Sequence, residues 1–326
     1  MNVRFVDASG AHERPSDDIV TLLTRDDGFV WVDVPAWDDE AVGLLQGLGC
    51  HPMVIEACRQ RNHVPTVHSY GEQDFVTTQS PLLGHAGHVH LLELDQILGP
   101  NFLVTVHGPI NPAVDVAEAL VETEGALRRI QSGRFHPSSP AELSYAVTSA
   151  VARRQRALIS EVAEKLPDLE QLVMESPLTE PEELLERLFL IRHELIATRT
   201  MASQCCEVWA RLAGLARLVD AAEREYARDL ADQFQRVRSI ADGEAQFLVG
   251  VIELYHTRVN TKMTVAMERL AVIAAITLPI TAVASIEGMN MIIAVRENLV
   301  ELGVVLVIMA AMSAWLLRWA RRQGWW

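Results

Sequence analysis

A chain of 326 residues exceeds the usual size of one folded core, so more than one unit is expected. Its formal charge of -15 speaks against a nucleic-acid backbone as partner, which calls for basic patches, and suits the attraction of cations. With 49% hydrophobic residues beside 22% charged ones, the apolar excess must be concentrated, and it sits after Leu270.

Residues 1–18 are polar and acidic, without the basic start and apolar run of a secretory signal, so everything before Leu270 is expected in the cytosol. Cys50, Cys58, Cys205 and Cys206 show no framework spacing and read as reduced structural thiols. Runs rich in Val, Ile, Thr and Phe at 29–34, 64–68, 74–78, 89–97 and 102–107, bounded by Gly, Pro or Asn, read as strands. Leu98, Gly99, Pro100 and Asn101 form a turn signal that makes the last two a hairpin. Helical patches at 15–24, 38–48 and 111–130 complete an α/β domain over 1–135. His85, His88 and His90 cluster at a hairpin tip, where a zinc site is weighed against the lack of a Cys or acid at matching spacing.

A Ser-, Pro- and Gly-rich loop at 132–140 gives way to nearly unbroken helical pattern. Ser176, Pro177 and Pro181 separate a helix over 141–174 from a second reaching 218, so 136–225 reads as antiparallel helices packed on a stalk. A third helix begins near Tyr226 and meets no strong breaker until Pro279. From 228 to 286 it would extend roughly 88 Å at 1.5 Å per residue, against about 30 Å for a bilayer core, so a cytosolic stalk over 226–269 runs into a membrane span. One amphipathic helix cannot bury its face alone, which calls for partners.

Residues 270–286 and 302–317 carry no charge and are candidate membrane helices, assigned as spans 270–287 and 299–318. The connection, 288–298, is a tight loop opening with Gly288, Met289 and Asn290. Lys262 and Arg269 precede the first span, and Arg318, Arg321 and Arg322 follow the second. By the positive-inside rule both flanks, both termini and the basic tail at 319–326 are cytoplasmic, and the loop faces outward. Trp315, Trp319, Trp325 and Trp326 suit an aromatic belt at the inner leaflet. No Gly-rich loop ending in Lys-Ser/Thr and no Ser-His-Asp or paired-carboxylate constellation stands out, so the chain does not read as an enzyme.

At the Gly288-Met289-Asn290 triplet, after the Pro279-x-Thr281 step, the sequence resembles the CorA family of divalent metal-ion (magnesium) transporters, whose first span ends in an outward Gly-Met-Asn motif. Tyr226, Ala227, Arg228, Asp229, Leu230, Ala231 and Asp232 resemble that family's Tyr-x-Arg-Asp-x-x-Asp segment at the start of the stalk. The order of parts agrees over the whole chain. The resemblance implies an α+β membrane protein that forms a homopentameric funnel, with the first span of each subunit lining a pore. Its implied function is membrane-potential-driven influx of Mg²⁺, with Co²⁺ and Ni²⁺ as further cations, under control of cytosolic Mg²⁺ bridging carboxylates. Asp229 matches one such regulatory metal residue, and Asp232 is placed with it; both also suit a helix first turn, where acids favour the macrodipole.

Counting back from the triplet in steps of three and four, one face carries Ser285, Thr281, Leu278, Ala274, Leu270, Met267, Thr264, Asn260, His256 and Glu253. On the pore reading, Asn290 side chains hold a hydrated Mg²⁺, Thr281 adds an oxygen ring, and Met267 with Leu270 form a hydrophobic gate. The plainer readings are Thr281 and Thr277 bonded back to their own helix, Met267 and Leu270 as packing, and Glu253 and His256 as a solvated face. The sequence departs from the family at Glu287, where an aromatic residue is usual; five such carboxylates would concentrate cations or shift the preferred metal. The alternatives are a zinc transporter of the ZntB type and a non-conducting, membrane-anchored metal-sensing scaffold.

Overall fold

A computed structural model of the chain describes residues 1–60, 64–84, 87–107, 114–175, 181–215, 221–288 and 299–322. These form two compact units, Met1–Val251 and Ile252–Trp326.

The first unit is built on a seven-stranded sheet: β1 (Asn2–Asp7), β2 (Gly10–Glu13), β3 (Gly28–Val34), β4 (Val67–Tyr70), β5 (Gln73–Leu83), β6 (Val89–Leu98) and β7 (Phe102–Val106). Their spatial order is β2-β1-β3-β7-β6-β5-β4. Only β3 and β7 run parallel, in register Val30↔Phe102 to Val34↔Val106, and the other pairs are antiparallel. The expected hairpin is β6–β7, closed by Gly99 N–H donating to Phe102 O at 2.9 Å. A side chain at Gly99 would meet the Phe102 ring, so the turn needs glycine. Strand β5 outlasts its expected end because Pro81 can continue it: among the described residues β4 pairs only as far as Val76, so Pro81 presents its missing N–H at a free edge.

Strands β1 and β2 lie in the stretch that reads only as polar. Alternation sends Val3 and Phe5 to one face of the sheet and Val6 to the other, while Arg4 lies over the Trp31 ring at 5.2 Å. The edge strand is legible only once its partner β3 is in place.

Short helices α1 (Ile19–Leu22), α2 (Asp39–Gly47) and α3 (Pro52–Arg59) cover one face of the sheet, burying Leu45, Val54 and Cys58 against Phe5, Val32 and Phe75. Asp38 caps α2 by accepting from Ala41 N at 2.8 Å, and Pro52 opens α3 where an N–H has no helical partner anyway. The other face takes α5 (Val121–Gln131), α6 (Pro140–Glu175), α7 (Pro181–Ala213) and the start of α8 (Ala221–Gly288), with the small helix α4 (Val116–Ala119) leading in. Trp31, Leu103, Leu143, Val147, Trp209, Leu230 and Phe234 meet in that core. Gln96 ties sheet to α6, accepting from Ser144 Oγ at 2.7 Å and donating to Thr148 Oγ1 at 2.8 Å.

Buried charge is concentrated in the sheet. Where parallel strands β3 and β7 end, Asp33 Oδ1 accepts from Thr105 Oγ1 at 2.6 Å and pairs with His107 Nε2 at 2.9 Å. Burial pushes the Asp33 carboxyl up, but His107, Thr105 and Arg4 together outweigh it and hold the group below its ordinary range. Asp95 is the opposite case. Complete burial and then the neighbouring Glu93 charge drive its carboxyl well above the ordinary range, with Thr77 Oγ1 donating at 2.6 Å.

The second unit holds the rest of α8 and α9 (Leu299–Arg322). Both are long and apolar enough to cross a membrane, and only 6% of each apolar window is buried, unlike the core helix of a soluble protein.

Candidate ion path and regulatory carboxylate

On α8 the ten positions of the expected face, Glu253, His256, Asn260, Thr264, Met267, Leu270, Ala274, Leu278, Thr281 and Ser285, are all exposed. Plotted at roughly 100° per residue they occupy an arc of about 120°. Leu270 and Leu278 are 65% and 67% exposed, a costly state for leucine in water unless other copies or lipid cover it. The covered stripe of the same segment runs elsewhere, through Val272, Ile276, Ile280 and Val283. On α9 the covered positions are Val305, Met309, Met312, Ser313, Leu316, Leu317 and Ala320. Steps of three and four on both helices are those at which one helix face meets another.

Thr281 Oγ1 donates to Thr277 O at 2.8 Å, Thr277 Oγ1 to Ile273 O at 2.9 Å, and Thr264 Oγ1 to Asn260 O at 2.9 Å. The back-bonded role is therefore present. A hydroxyl has one proton and two lone pairs, so one that spends its proton on its own helix presents only acceptor character outward. That is the polarity suited to a cation and its water shell. Glu287 and Gly288 close α8, whereas Met289 and Asn290 lie outside the described residues.

In the first unit, α8 begins at Ala221, so Asp229 lies in its third turn and Glu223 is the first-turn acid; the first-turn reading of Asp229 and Asp232 does not hold. Tyr145 OH donates to its Oδ2 at 2.7 Å and Gln233 Nε2 to the same oxygen at 2.6 Å; Gln233 also donates to Ser149 Oγ at 3.2 Å. The rings of Tyr145 and Tyr226 lie 5.0 Å apart. Gln233 first, then Tyr145, hold the Asp229 carboxyl below its ordinary range, so it carries its charge at neutral pH. Neither partner is named from the sequence: Gln233 lies four residues along the same helix, a spacing that could have found it. Tyr145, 84 residues away in sequence, has no such signal.

Tyr145 and Tyr226 also line a cavity of about 360 Å³ whose wall carries Glu72, Asp74 and Glu223. The β4–β5 hairpin thus brings Glu72 and Asp74 onto the same cavity wall as Tyr145, a juxtaposition set by sheet topology and invisible in sequence. Asp232 is exposed. Among the described residues of one chain, no three His, Cys, Asp or Glu side chains gather as a metal site. His88 precedes β6 and His90 lies within it, against Gly84; His85 lies outside the described residues.

The family model described as CorA-like Mg²⁺ transporter protein matches residues 26–322. The chain belongs to that family. CorA membership makes α8 and α9 membrane helices of a divalent-metal transporter. A Bacillus subtilis (strain 168) protein named for metal-ion transport, YfjQ, is 23% identical over 312 residues, covering 92% of this chain and 91% of its own. The cobalt/magnesium transport protein CorA of Thermotoga maritima is also 23% identical, over 288 residues, covering 85% of this chain and 77% of its own. The complete structure of the CorA magnesium transporter from Methanocaldococcus jannaschii superposes with a TM-score of 0.79 at 16% identity, covering 100% of this chain and 99% of that one. The expected arrangement of α/β domain, long helix and two C-terminal apolar helices is the one found.

Proposed function

We propose that this CorA-family chain assembles as a homopentamer and conducts Mg²⁺, with Co²⁺ and Ni²⁺ as further cargo, inward along the exposed arc of α8. The observation that carries this reading is the arc itself: from Thr264 to Ser285 its named positions hold no charged side chain, yet Thr264, Thr281 and Ser285 place hydroxyls on it and all of these positions are exposed among the described residues. Mg²⁺ gives up its waters reluctantly, so neutral oxygens that bond to the water shell let it pass without trapping it. Asn290 would form the outer ring, with Glu287 beside it raising the local cation concentration. Met267 and Leu270 would close the path by dewetting. A divalent ion moving inward gains roughly 4.6 kcal/mol per 100 mV, twice the single-charge value, so the potential alone can drive uptake.

Asp229 would serve as the cytosolic sensor, with a second carboxylate supplied by a neighbouring copy. Bound Mg²⁺ would neutralise the acidic surfaces and hold the assembly closed, and depletion would let them repel. Both termini would lie in the cytoplasm. The test is flux in proteoliposomes: Mg²⁺ uptake that follows the imposed voltage and is abolished by Asn290→Ala is expected. Zn²⁺ uptake that tracks a pH gradient would instead assign a zinc carrier. Absence of any flux from folded oligomers would leave a metal-sensing scaffold and overturn the channel reading.

A further inference from the structure

The cavity beside Tyr145 has a chemistry that neither the ion path nor the Asp229 sensor uses. It is walled by the β4–β5 and β6–β7 hairpins and by helices α6, α7 and α8, all within the first unit. At about 360 Å³ it falls at the lower end of small-molecule cavities, which run roughly from 300 to 1,000 Å³. None of its lining residues is Lys, Arg or His, while Glu72, Asp74 and Glu223 all are acidic, so its field favours a cation. Glu72 is exposed and Glu223 half-buried, whereas Asp74 is buried and accepts from Ser69 Oγ at 2.6 Å.

Carboxylates alone would suit bulk counterions. Trp209 of α7 adds a directed contact. Its side chain is buried, it borders the same cavity, and among the described residues its indole N–H reaches no acceptor. A buried donor left without an acceptor is costly, and an occupant that supplies an oxygen relieves that cost. A bare metal ion does not fit. Among the described residues no three His, Cys, Asp or Glu side chains gather as metal ligands, so the three acids share a wall without converging. A charge spread over carbon fits better, because the methyl or methylene groups around an ammonium nitrogen pack on aromatic faces while the charge stays opposite the carboxylates. Tyr145, Tyr226 and Trp209 supply those faces, and Leu98, Leu212 and Leu230 the apolar wall beside them.

We propose that this cavity binds a small organic ammonium ion that also carries an oxygen acceptor, the amino-alcohol class. Its cationic head lies against the carboxylates and the tyrosine rings, and its oxygen accepts from Trp209 Nε1. Tyr145 OH also donates to Asp229 Oδ2 at 2.7 Å, so an occupant touches a residue that touches the proposed sensor. The occupant's positive charge disfavours a second cation nearby, and its binding therefore weakens inhibition by internal Mg²⁺. This last consequence rests on the sensor reading; the ammonium site itself rests only on the cavity.

The experiment uses the full chain in detergent and equilibrium dialysis of labelled choline and of tetramethylammonium, which has the same cationic head and no oxygen. Saturable choline binding is expected, roughly 2- to 10-fold tighter than that of tetramethylammonium, as one hydrogen bond allows. Trp209→Phe keeps an aromatic ring and removes the N–H, so it should bring the two affinities together. Glu72→Gln, at an exposed turn, should weaken both probes alike, roughly 2- to 5-fold, and preserve their ratio. Absence of saturable binding, equal affinity for both probes in the unmodified chain, or an unchanged ratio in folded Trp209→Phe overturns the site. Complete displacement of choline by Mg²⁺ from Asp229→Asn chains at constant ionic strength also overturns it, because the cavity would then hold a hydrated metal. Choline binding as expected, with no change in the inhibition of uptake by internal Mg²⁺, leaves the site standing and sinks its coupling to Asp229 instead.

Discussion

Replacing Thr281 by Val separates the two roles that its observed hydrogen bond permits. Valine keeps the β-branched shape and removes only the hydroxyl, whose proton goes to Thr277 O at 2.8 Å and whose lone pairs face outward. If the bond serves the helix alone, the loss concerns a local contact in a helix that retains its backbone ladder, and transport is unaffected. If the lone pairs accept from the waters of a passing cation, each such bond contributes about 0.5–1.5 kcal/mol net. An ion on the pore axis that keeps two of them loses about 1–3 kcal/mol in the variant, a fall in uptake of roughly 5- to 150-fold. Thr281→Ser, which keeps the oxygen and the back-bond, should retain most of the rate. The assay is voltage-driven Mg²⁺ uptake into proteoliposomes, with oligomeric state checked beforehand. Wild-type uptake by folded Thr281→Val oligomers would refute the oxygen-ring argument and leave Thr281 with the structural role only.

Three further outcomes follow from the first unit. Asp229→Asn should abolish inhibition of uptake by internal Mg²⁺, whereas Tyr145→Phe, which frees Oδ2 from a competing donor, should tighten inhibition about fivefold, for roughly 1 kcal/mol at this half-exposed site; equal loss of inhibition in both would show that the phenol supports the site. Asp95 binds its proton more tightly folded than unfolded, so its contribution is full below about 3.8 and declines as pH rises towards the elevated folded value. Asp95→Asn should therefore raise the thermal midpoint at pH 7.5 and flatten its pH dependence, and an unchanged slope in a pH series would count against the buried-acid assignment. Asp33 runs the other way, contributing above its ordinary value and losing that contribution as pH falls through its depressed one. His107→Ala leaves that carboxylate buried with Thr105 as a remaining donor and should cost about 3 kcal/mol in denaturant unfolding, so a loss below 1 kcal/mol would deny the pair its structural weight.

Much of this architecture was legible because its signals are local. Helices α6 and α8 announce themselves by periodicity, the hairpin at Gly99 by turn chemistry, and the two spans by runs without charge. Strands β1 and β2 and helix α3 escaped because their signals are short and depend on partners: β1 is an ordered strand only against β3, which is distant in sequence. The same limit separates Gln233 from Tyr145 at Asp229, one a helix turn away and the other reached only after α6 packs beside α8.

By itself, the sequence determined that an α/β unit leads through a long helix into two apolar helices, since composition and period act within a few turns of the chain. It also determined which arc of α8 is apolar or hydroxyl-bearing, because 3.6 residues per turn fixes a face from spacing alone. Only tertiary structure decided that the Tyr145 phenol joins the Gln233 amide on Asp229, the two holding its carboxyl below the ordinary range, and that Glu72 and Asp74 share a cavity wall with that phenol. It likewise decided that Asp33 and Asp95, alike in sequence, are driven to opposite protonation behaviour. Those outcomes depend on burial and on donors from distant strands and helices, and proximity of that kind has no local signature.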